Sequence, residues 1–577
     1  MKLINKKCFL YCIIAYSITI PFTITSYDLS HHIKYATKAI QNIPCGIQQR
    51  IMFARVIARA LYNYKNNDQH TVIEQKLAQH YTQWLDNNSS IQHAAQDLYN
   101  AIKTNPYLTI QPSEFILGAS SSAYQIEGGL DHSSAAARFY AKKAKLPTAG
   151  IAIDFYNRYK EDIKQMKEEL HINAFRISLA WDRIQPQQGK FSQEAIAFYK
   201  DVLQTLIAHD IKPLVVFHHY DVPTWFEDLG GFEKKKNGKF FQEFALHVYK
   251  ELAQELGSCI ISMCCAAEGP AFKGYFTGEG TPGEKDNLHK THTVIANMYY
   301  EMVDTALAFK KSYIHLKKTR PSIQPPYIGI QINIVPIDPH PDVQQPCIKT
   351  ALGCSIGAYV QGGGVFNFLV NGEYRVYTPD ISIMKQTKGA NVYRYHPEAH
   401  KAFDWIGVNV YSNNFLNGFE RINGNKLIES DEERYTDNTN YRNYPEGIYR
   451  AVQMVAENVT IPLGAIRNAD GRPLPILVTE NGIATKDDAK RTRYFKKALC
   501  SITQLIKDGY RVEGYLPWTS HDNFEWPTQD NPDGFGSKNY GFFAVNRDKN
   551  SPDYLKRTLK EGSRGYAAFA HEFFNLA

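Results

Sequence analysis

The sequence predicts an α/β protein folded as a (β/α)8 barrel with an N-terminal helical extension. Eight short runs rich in β-branched and aromatic residues follow one another after residue 115, and amphipathic helical stretches separate most of them. Strands that alternate with helices are typical of a parallel sheet, and eight such units can close into a barrel. With 577 residues, the chain is long enough for one large barrel and an appendage.

The first 27 residues resemble an export signal. Lysines stand at positions 2, 6 and 7, and residues 8–27 contain no charged side chain. We therefore predict that residues 1–27 are a signal peptide, or a membrane anchor that is not cleaved, and we expect the protein to be exported. Beyond residue 27 the chain has seven cysteines, an odd number with no C-x-x-C pair. Neither a disulfide framework nor a zinc site is therefore predicted. An apolar start without export remains the alternative.

Residues 28–112 are predicted to form the helical extension. Apolar residues recur at helical spacing in three stretches, 52–60, 73–84 and 91–102. Residues 87–90 precede the third stretch and are types that cap helices. No chemical motif accompanies these apolar stripes, which we interpret as core or docking faces.

The barrel is predicted to occupy residues 113–577. Its eight candidate strands lie within 115–124, 173–181, 212–220, 259–268, 327–334, 405–412, 475–482 and 512–520. Residues 155–170 and 446–459 illustrate the amphipathic stretches between them. The polar stretch 413–444 is predicted to be a long loop insertion. Adjacent Cys264 and Cys265, within the fourth run, are interpreted as small core residues.

Composition excludes several classes of protein. Apolar residues make up 44% of the chain and charged residues 21%, which excludes a disordered or a polytopic membrane protein. The net charge of +7 is scattered and gives no case for nucleic-acid binding. The aromatic content of 13% suits a sugar-binding cleft, although a large core explains the same number. We expect a small-molecule partner, with membrane contact only through an uncleaved N-terminal segment.

Polar and reactive side chains lie near the ends of six candidate strands. They are Gln125, His219, Glu268, Asn409, Tyr411, Glu480 and Trp518. The carboxyl ends of barrel strands meet on one face, where barrel enzymes carry their catalytic residues. A set drawn from six strands therefore predicts a functional site on that face.

Glu268 and Glu480 end the fourth and seventh runs, and we predict that they face each other across the barrel mouth. Two carboxyl groups at roughly 5–5.5 Å suit glycoside cleavage with retention, because one attacks the anomeric carbon while the other protonates the leaving oxygen. The alternative is that each carboxylate merely pairs with an arginine or lysine. A carboxylate pair needs no metal or organic cofactor, and we expect neither.

A series of segments within residues 112–550 carries a family resemblance. In chain order they read FILGASSSAYQIEGG, FRISLAWDRIQP, HHYDVPTWFEDLGGF, AEGPAFKGYFTGEGTPG, WIGVNVYS, ILVTENG and GYLPWTSHDNFEW. The ordered series is similar to glycoside hydrolase family 1, the β-glucosidase family of retaining (β/α)8 enzymes. The resemblance implies that Glu480 is the nucleophile and Glu268 the general acid/base.

The same resemblance implies the positions that surround the two carboxyl groups. Arg176 and Tyr411 would lie near Glu480 and favour its carboxylate form, whereas Glu268 must stay protonated until it acts. Trp518 would form a stacking floor for the sugar, with core packing as the alternative for this indole. The substrate-binding candidates are completed by Gln125, His219, Asn409, Glu525 and Trp526.

Two departures from the family pattern bear on activity. Ala267 and Gly269 flank Glu268 where the family has Asn and Pro. Ala267 cannot bind the sugar 2-hydroxyl, a contact that strengthens in the transition state. Tyr220 stands where the family usually has Trp after the third strand. These changes leave open a catalytically weakened sugar-binding or interaction protein on the same fold.

The signals for substrate choice disagree. Phospho-sugar members of the family replace the glutamate of NFEW with a small residue and hold phosphate with a Lys-x-Tyr pair. This chain keeps the glutamate, Glu525, but it also has the pair, as Lys538 and Tyr540. A carboxylate beside a phosphate is repulsive, so we predict a retaining, exo-acting β-glycosidase that hydrolyses an unphosphorylated β-glucoside or related β-glycoside. A 6-phospho-β-glycosidase and a transglycosylase remain alternatives.

Overall fold

A computed structural model describes residues 76–77, 79, 90–339, 363–378, 390–417, 420–422, 443–527, 532–536 and 538–577. The predicted leader, most of the predicted extension and most of the predicted insertion at 413–444 therefore lie outside the described residues. The boundaries proposed for these segments stay predictions.

Eight parallel strands form a closed barrel. They are β1 (Ile116–Ser120), β2 (Ala174–Ser178), β3 (Lys212–Val216), β4 (Ile260–Cys265), β5 (Tyr327–Asn333), β6 (Trp405–Asn409), β7 (Ile476–Glu480) and β8 (Val512–Tyr515). Their order around the barrel follows the chain, and pairing of β1 with β8, as in Ile116 with Gly514, closes it. The predicted fold class and all eight predicted strands are confirmed, although each strand is shorter than its apolar run.

The strands read as continuous apolar runs because both of their faces are covered. Every residue of β1, β2, β4, β6 and β7 is buried, as expected for a parallel sheet enclosed by helices. The indole of Trp405 lies against β5, and a Cβ at Gly329 would be 2.2 Å from that ring. Glycine at position 329 therefore leaves the space that the indole occupies beside β5.

Helices complete the layer outside the barrel. Those that lead from one strand to the next are Phe155–Leu170, Gln193–Ala208, Gly238–Glu251, Leu288–Thr319, Gly364–Asn371, Gly447–Val455, Ile461–Arg467 and Asp488–Lys507, and Arg564–Leu576 follows β8. Shorter α-helices are Ala123–Ile126, Ala135–Arg138, Trp181–Ile184, Thr224–Asp228, Ala253–Leu256, Glu268–Phe272 and Ala399–Ala402. Single π-helical turns span Phe139–Ala144, Lys273–Thr277 and Ala456–Thr460, and 3₁₀ turns span Pro112–Glu114, Gly231–Glu233, Lys235–Asn237 and Glu561–Ser563.

Small sheets lie outside the barrel. Glu373–Thr378 pairs with Ala390–Tyr395, Phe543–Val545 pairs with Arg557–Leu559, and Asn414–Asn417 joins Ile337–Pro339 and Glu420–Ile422 in a three-stranded sheet. Among the helices that the structure describes, none is both long and apolar enough to cross a membrane.

One helix of the predicted extension packs directly on the barrel. Ser90–Thr104 contains the stretch predicted to be helical at 91–102, and it lies against Asp488–Lys507 and Arg564–Leu576. Its residues Ala95 and Leu98 are fully buried. This helix therefore shares the hydrophobic core of the barrel.

Candidate active site

Glu480, the last residue of β7, lies at the centre of a network of side chains from other strands. Arg176 on β2 approaches it across the barrel, with Nη2 2.6 Å from Glu480 Oε1. The Tyr411 hydroxyl, two residues beyond β6, donates to Oε2 at 2.7 Å. Both residues lie where the sequence predicts them, and together they neutralise and orient the carboxylate.

Cys265, the last residue of β4, also contacts Glu480. Its thiol donates to Glu480 Oε1 at 3.1 Å and accepts from Arg176 Nη1 at 3.5 Å and from Asn409 Nδ2 at 3.4 Å. Burial, followed by the charge of Glu480, raises the pKa of this thiol, so it remains a donor. The interpretation of Cys265 as only a small core residue was therefore incomplete.

Further hydrogen bonds connect side chains of different strands in this network. Arg176 Nη1 donates to Gln331 Oε1 on β5 at 2.6 Å. Thr479, the neighbour of the nucleophile candidate, donates through Oγ1 to Asn409 Oδ1 at 2.7 Å. Asn409 thus contacts Cys265 and Thr479, and these two hydrogen bonds fix the orientation of its amide.

Glu268 lies three residues beyond β4 and is the first residue of helix Glu268–Phe272. It is buried, and the hydroxyl of Tyr299, on the long helix Leu288–Thr319, donates to its Oε1 at 2.6 Å. Within the described part of the chain, its Oε2 has no hydrogen-bond partner. Burial raises the pKa of Glu268 to about 7, and the hydrogen bond from Tyr299 opposes that increase.

Strands β4 and β7 are separated by β5 and β6 on one side and by four strands on the other. Glu268 and Glu480 therefore approach the mouth from different sides, as predicted. Their environments differ, because Glu480 receives an arginine and two hydrogen-bond donors while Glu268 has no cation beside it in the described structure.

Trp518 and Glu525 form a pair beyond β8. Trp518 Nε1 donates to Glu525 Oε1 at 2.8 Å, and the Arg176 guanidinium lies 5.6 Å from the Trp518 ring centre. Burial raises the pKa of Glu525 to about 7. Gln125, in the short helix after β1, donates to the Phe524 carbonyl at 2.9 Å and accepts from a serine hydroxyl, so its amide is anchored beside this pair.

His219 lies three residues beyond β3 and beside Trp518. Its ring centre is 5.9 Å from that of Trp518, and its Nδ1 is buried with no hydrogen-bond partner in the described residues. Burial, with a smaller contribution from Arg176, lowers the pKa of His219 well below its usual value. A neutral imidazole can both donate and accept, as a contact to a sugar hydroxyl requires.

Trp526 is stacked between two tyrosines. Its ring is 5.6 Å from Tyr124, nearly parallel at 8°, and 5.6 Å from Tyr220 at 28°. The Tyr220 hydroxyl reaches Gly269, where an added Cβ would lie only 2.1 Å from the hydroxyl oxygen. Tyr220 and Gly269, two of the three residues that depart from the family pattern, therefore fit each other sterically.

Two lysines lie beside Trp526. Lys538 Nζ donates to the Trp526 carbonyl at 3.5 Å, and Lys273 Nζ lies 5.5 Å from the Trp526 ring centre. Both lysines are close enough to Glu525 to favour its charged form. Lys538 belongs to the Lys-x-Tyr pair in the sequence, whereas no motif marks Lys273 as a site residue.

The structure brings all ten predicted site residues to the carboxyl-terminal face of the barrel. Sequence reasoning missed Cys265, Gln331, Tyr299 and Lys273 as neighbours of the site. Cys265 ends β4 inside an apolar run that indicates core packing, although it stands three residues before Glu268, and Gln331 lies within the apolar run of β5. Tyr299 lies inside a 32-residue helix whose pattern carries no signal for this contact.

Metal binding has one candidate cluster among the described residues. Donor atoms of His219, Cys265 and Glu480 lie within 4.8 Å of one another. The guanidinium of Arg176 already pairs with Glu480 and contacts the Cys265 sulfur, and its charge opposes a cation there. The donor set therefore does not fit a resident metal.

Comparison with known proteins identifies the family of the chain. The model of the family described as glycosyl hydrolase family 1 matches residues 107–573. Beta-glucosidase 26, peroxisomal, of Arabidopsis thaliana is 29% identical over 488 residues, which cover 75% of this chain and 81% of that protein. Beta-glucosidase A of Acetivibrio thermocellus is 27% identical over 488 residues, which cover 79% of this chain and 97% of that protein.

Solved structures share the fold. The β-glycosidase from Pyrococcus horikoshii matches with a TM-score of 0.61 and 24% identity, covering 80% of this chain and 94% of that one. A family 1 β-glucosidase from Thermotoga maritima in complex with isofagomine lactam matches with a TM-score of 0.62 and 22% identity, covering 80% and 98%.

Proposed function

Because the chain belongs to glycosyl hydrolase family 1 and is therefore a glycoside hydrolase, we propose that it is a retaining, exo-acting β-glycosidase with Glu480 as nucleophile and Glu268 as general acid/base. One observation carries these roles: two carboxyl groups at one barrel mouth have opposite environments. Glu480 receives Arg176 and two hydrogen-bond donors, whereas Glu268 is buried with a pKa of about 7. Such a contrast separates an anionic nucleophile from a proton donor.

The proposed mechanism has two steps. In the first, Glu268 donates its proton to the glycosidic oxygen while a Glu480 oxygen attacks the anomeric carbon, so that the bond to the leaving group breaks and a glycosyl ester forms. In the second, Glu268, now a carboxylate, removes a proton from water, which attacks the same carbon and releases Glu480. Two inversions retain the β configuration.

Arg176 and Tyr411 have a definite task in this sequence of steps. They hold Glu480 while it is charged, and both contacts weaken when its oxygen becomes part of the neutral ester. Cys265 contributes a third, weaker donor to the same carboxylate. Burial, and to a smaller extent the charge of Arg176, keep His219 neutral, so that the imidazole can donate to a sugar hydroxyl.

We propose a β-glucoside or a closely related β-glycoside as substrate. The relatives named above are called β-glucosidases, and Glu525 beside Trp518 offers a carboxylate acceptor for sugar hydroxyl groups. The same carboxylate repels a 6-phosphate, although Lys538 and Lys273 nearby reduce that repulsion. A 6-phospho-β-glycosidase is therefore the second candidate, and the two lysines are the observation that favours it.

The experiment is release of nitrophenol from aryl β-glucoside, β-galactoside, β-fucoside and 6-phospho-β-glucoside. Wild type is compared with Glu480→Gln and with Glu251→Gln, a matched change at an exposed residue on an outer helix. We expect wild type and Glu251→Gln to release nitrophenol equally and Glu480→Gln to release none. NMR identifies which anomer of the sugar is released first, and we expect the β anomer.

Each outcome has a distinct meaning. Turnover that prefers the phosphorylated substrate would establish the second candidate. If folded wild type releases no nitrophenol from any substrate of the panel, the sugar-binding alternative is favoured, in which Ala267 has weakened the site. An α anomer formed first would overturn the assignment of Glu480 as nucleophile.

We further propose that the protein is exported. Three lysines followed by 20 uncharged residues support a signal at 1–27, and this segment lies outside the described residues. Cell fractionation of the full chain, compared with a chain that begins at residue 28, tests the proposal. Equal distribution of the two forms would contradict it.

A further inference from the structure

Gln331 is a fully buried amide that no step of the proposed mechanism uses. It lies on β5, where it pairs with Cys265 on β4 and with Gly407 on β6. Its Oε1 accepts a hydrogen bond from Arg176 Nη1 at 2.6 Å. A guanidinium only donates hydrogen bonds, so the amide must present its oxygen and not its nitrogen to Arg176.

Within the described residues, two oxygens contact the Arg176 guanidinium. Nη2 forms the ion pair with Glu480 Oε1 at 2.6 Å, and Nη1 donates to Gln331 Oε1 at the same distance. The Cys265 sulfur, 3.5 Å from Nη1, is a weaker acceptor, and Nε has no hydrogen-bond partner in the part of the chain that the structure describes. Because the guanidinium is planar and rigid, oxygens at two of its nitrogens fix the orientation of the whole group.

The side chain of Gln331 is itself held in place. A Cβ at position 407 would lie 2.7 Å from Gln331 Cγ, so Gly407 leaves the space that the glutamine occupies. Nε2 of Gln331 has no hydrogen-bond partner in the described residues, so the bond from Arg176 is the contact that orients the amide. Arg176 and Gln331 are both fully buried, and bulk water therefore does not compete for this contact.

The neutrality of Gln331 matters for Glu480. A carboxylate at position 331 would compete for the positive charge of Arg176, whereas an amide oxygen accepts the hydrogen bond and leaves that charge to the nucleophile candidate. The amide also keeps the same charge state throughout the reaction. In the proposed covalent intermediate Glu480 is part of a neutral ester and its ion pair with Arg176 weakens, while the bond from Arg176 to Gln331 persists.

We propose that Gln331 is a positioning residue for glycoside cleavage, which holds the Arg176 guanidinium beside Glu480 before the attack and while the glycosyl ester exists. The inference rests on the proposed glycosidase function and adds a residue to its machinery. A role in core packing alone is the alternative, and it predicts no effect on the charge of Glu480. The two roles therefore differ in how substitutions at position 331 affect the pH profile.

Several charged or titratable groups lie near Glu480 and influence its protonation. They are Arg176 on β2, His219 beyond β3, Cys265 on β4, Lys273 beyond β4, Tyr411 beyond β6 and Glu525 beyond β8. A substitution at position 331 changes none of these residues. A difference between the pH profiles of wild type and a Gln331 variant therefore reports the contact between residue 331 and Arg176.

The test is the pH dependence of kcat/KM for an aryl β-glucoside in wild type, Gln331→Glu and Gln331→Met. Gln331→Glu keeps the acceptor oxygen and adds a negative charge. Glu480 must be charged to attack, so we expect the acidic limb to move up by about one pH unit, because a like charge nearby favours protonation. Gln331→Met removes the acceptor at similar length and should lower kcat/KM about 10- to 100-fold, the range for a hydrogen bond to a charged group.

Matched controls separate this effect from a general one. Gln193→Glu and Gln193→Met make the same changes at an exposed glutamine, the first residue of helix Gln193–Ala208, and should leave kcat/KM and the acidic limb unchanged. An acidic limb at the wild-type pH in Gln331→Glu would overturn the inference, as would wild-type kcat/KM in Gln331→Met. If Gln331→Met does not fold, as its Tm shows, Gln331→Glu decides alone.

Crystal structures of the variants read the position of Arg176 without turnover. In Gln331→Met we expect the guanidinium to turn away from its wild-type position and its distance to Glu480 to increase. In Gln331→Glu we expect it to lie between the introduced carboxylate and Glu480. An Arg176 side chain that superposes on wild type in both variants would overturn the inference. If wild type turns over no substrate, the proposed function fails, while these structures still decide the role of Gln331.

Discussion

The protonation of Glu268 depends on opposing effects, of which burial is the largest and the hydrogen bond from Tyr299 the next. Burial raises its pKa to about 7, and the hydroxyl of Tyr299, 2.6 Å from Oε1, favours the charged form. A general acid with a pKa near neutrality is protonated and still able to lose its proton at physiological pH. Tyr299 thus sets the upper end of the pH range in which the first step can proceed.

Removal of that hydroxyl should move the pH profile. In wild type we expect kcat/KM to fall above about pH 7, as Glu268 loses its proton. Tyr299→Phe should raise the pKa of Glu268 and move this alkaline limb upward by about one pH unit, because a hydrogen bond to the charged form is lost. Tyr300→Phe, which alters the neighbouring tyrosine that packs on His396, is the control. An alkaline limb of kcat/KM at the same pH in Tyr299→Phe and wild type would show that a group other than Glu268 controls that limb.

Ala267 is the residue at which the site departs most from its family. It is buried next to Glu268, and its methyl group has nothing to offer a sugar 2-hydroxyl. Ala267→Asn should raise kcat/KM for a β-glucoside about tenfold or more, because the amide would contact that hydroxyl in the transition state. Ala267→Leu adds similar volume without an amide and should give no gain.

A 2-deoxyglucoside checks the reason for the gain. The advantage of Ala267→Asn should disappear with this substrate, which lacks the hydroxyl. No gain with either substrate would indicate that the site has been rebuilt for a sugar with a different 2-position.

Tyr220 and Gly269 form a complementary pair. Tyr220 has a φ of 68°, in the left-handed region that side chains rarely adopt, and its hydroxyl fills the space beside Gly269. Gly269→Ala should displace the Tyr220 ring and lower kcat/KM about 10- to 100-fold. Tyr220→Phe in the same chain should recover part of the loss, because the clashing oxygen is removed. A double-mutant cycle without coupling would contradict this pairing.

At the scale of elements, helix Ser90–Thr104 attaches residues before the family match to the barrel. Asp97 pairs with Lys507 at 2.6 Å, and Asn105 Nδ2 donates to the Ile506 carbonyl at 2.7 Å. Two turns of buried apolar side chains and these contacts make the helix part of the folded unit, although the family model begins only at residue 107.

A single truncation on this helix should therefore destabilise the barrel. Leu98 is fully buried, and Leu98→Ala should lower the free energy of unfolding by about 2–5 kcal/mol through lost burial and the cavity left behind. Gln96→Ala, at an exposed position of the same helix, should change it little. Denaturant unfolding followed by fluorescence measures both, and an unchanged midpoint for Leu98→Ala would show that the helix does not unfold with the barrel.

At the scale of the whole molecule, the proposed acid/base lowers the stability of the fold at neutral and higher pH. Its pKa is about 7 in the folded protein and near 4.5 in the unfolded chain. Below pH 4.5 Glu268 is protonated in both the folded and the unfolded state, and it does not lower the free energy of unfolding. Between pH 4.5 and 7 only the folded state keeps the proton, so the free energy of unfolding falls as the pH rises. Above pH 7 the cost is complete, at most about 3 kcal/mol.

Glu268→Gln should therefore stabilise the protein in a pH-dependent way. We expect a higher Tm than wild type at pH 8 and nearly equal values at pH 4.5, because the amide never becomes charged. Glu251→Gln, at an exposed residue, should show no such dependence. A stabilisation of equal size at both pH values would point to packing instead of charge.

Much of this architecture is encoded locally. The apolar runs of β1 to β8 each specify a strand buried on both faces, their alternation with helices specifies parallel order, and the motifs around Glu268 and Glu480 specify the family. The residues of the site follow from the same rule, because parallel strands of a closed barrel must end on one face. The sequence by itself therefore determined the fold, the family and the ten predicted residues at the mouth, but not their neighbours Cys265 and Tyr299.

Only the tertiary structure decided which of these residues touch. Tyr299 meets Glu268 because a 32-residue helix packs on the fourth strand, and Cys265 meets Glu480 because the closed barrel joins two strands 215 residues apart. Lys273 faces Trp526 for the same kind of reason. The periodicity of apolar residues indicates which face of an element is buried, but the residue that packs on that face depends on how distant elements pack. These partners set the pKa of Glu268 and the charge of the cleft.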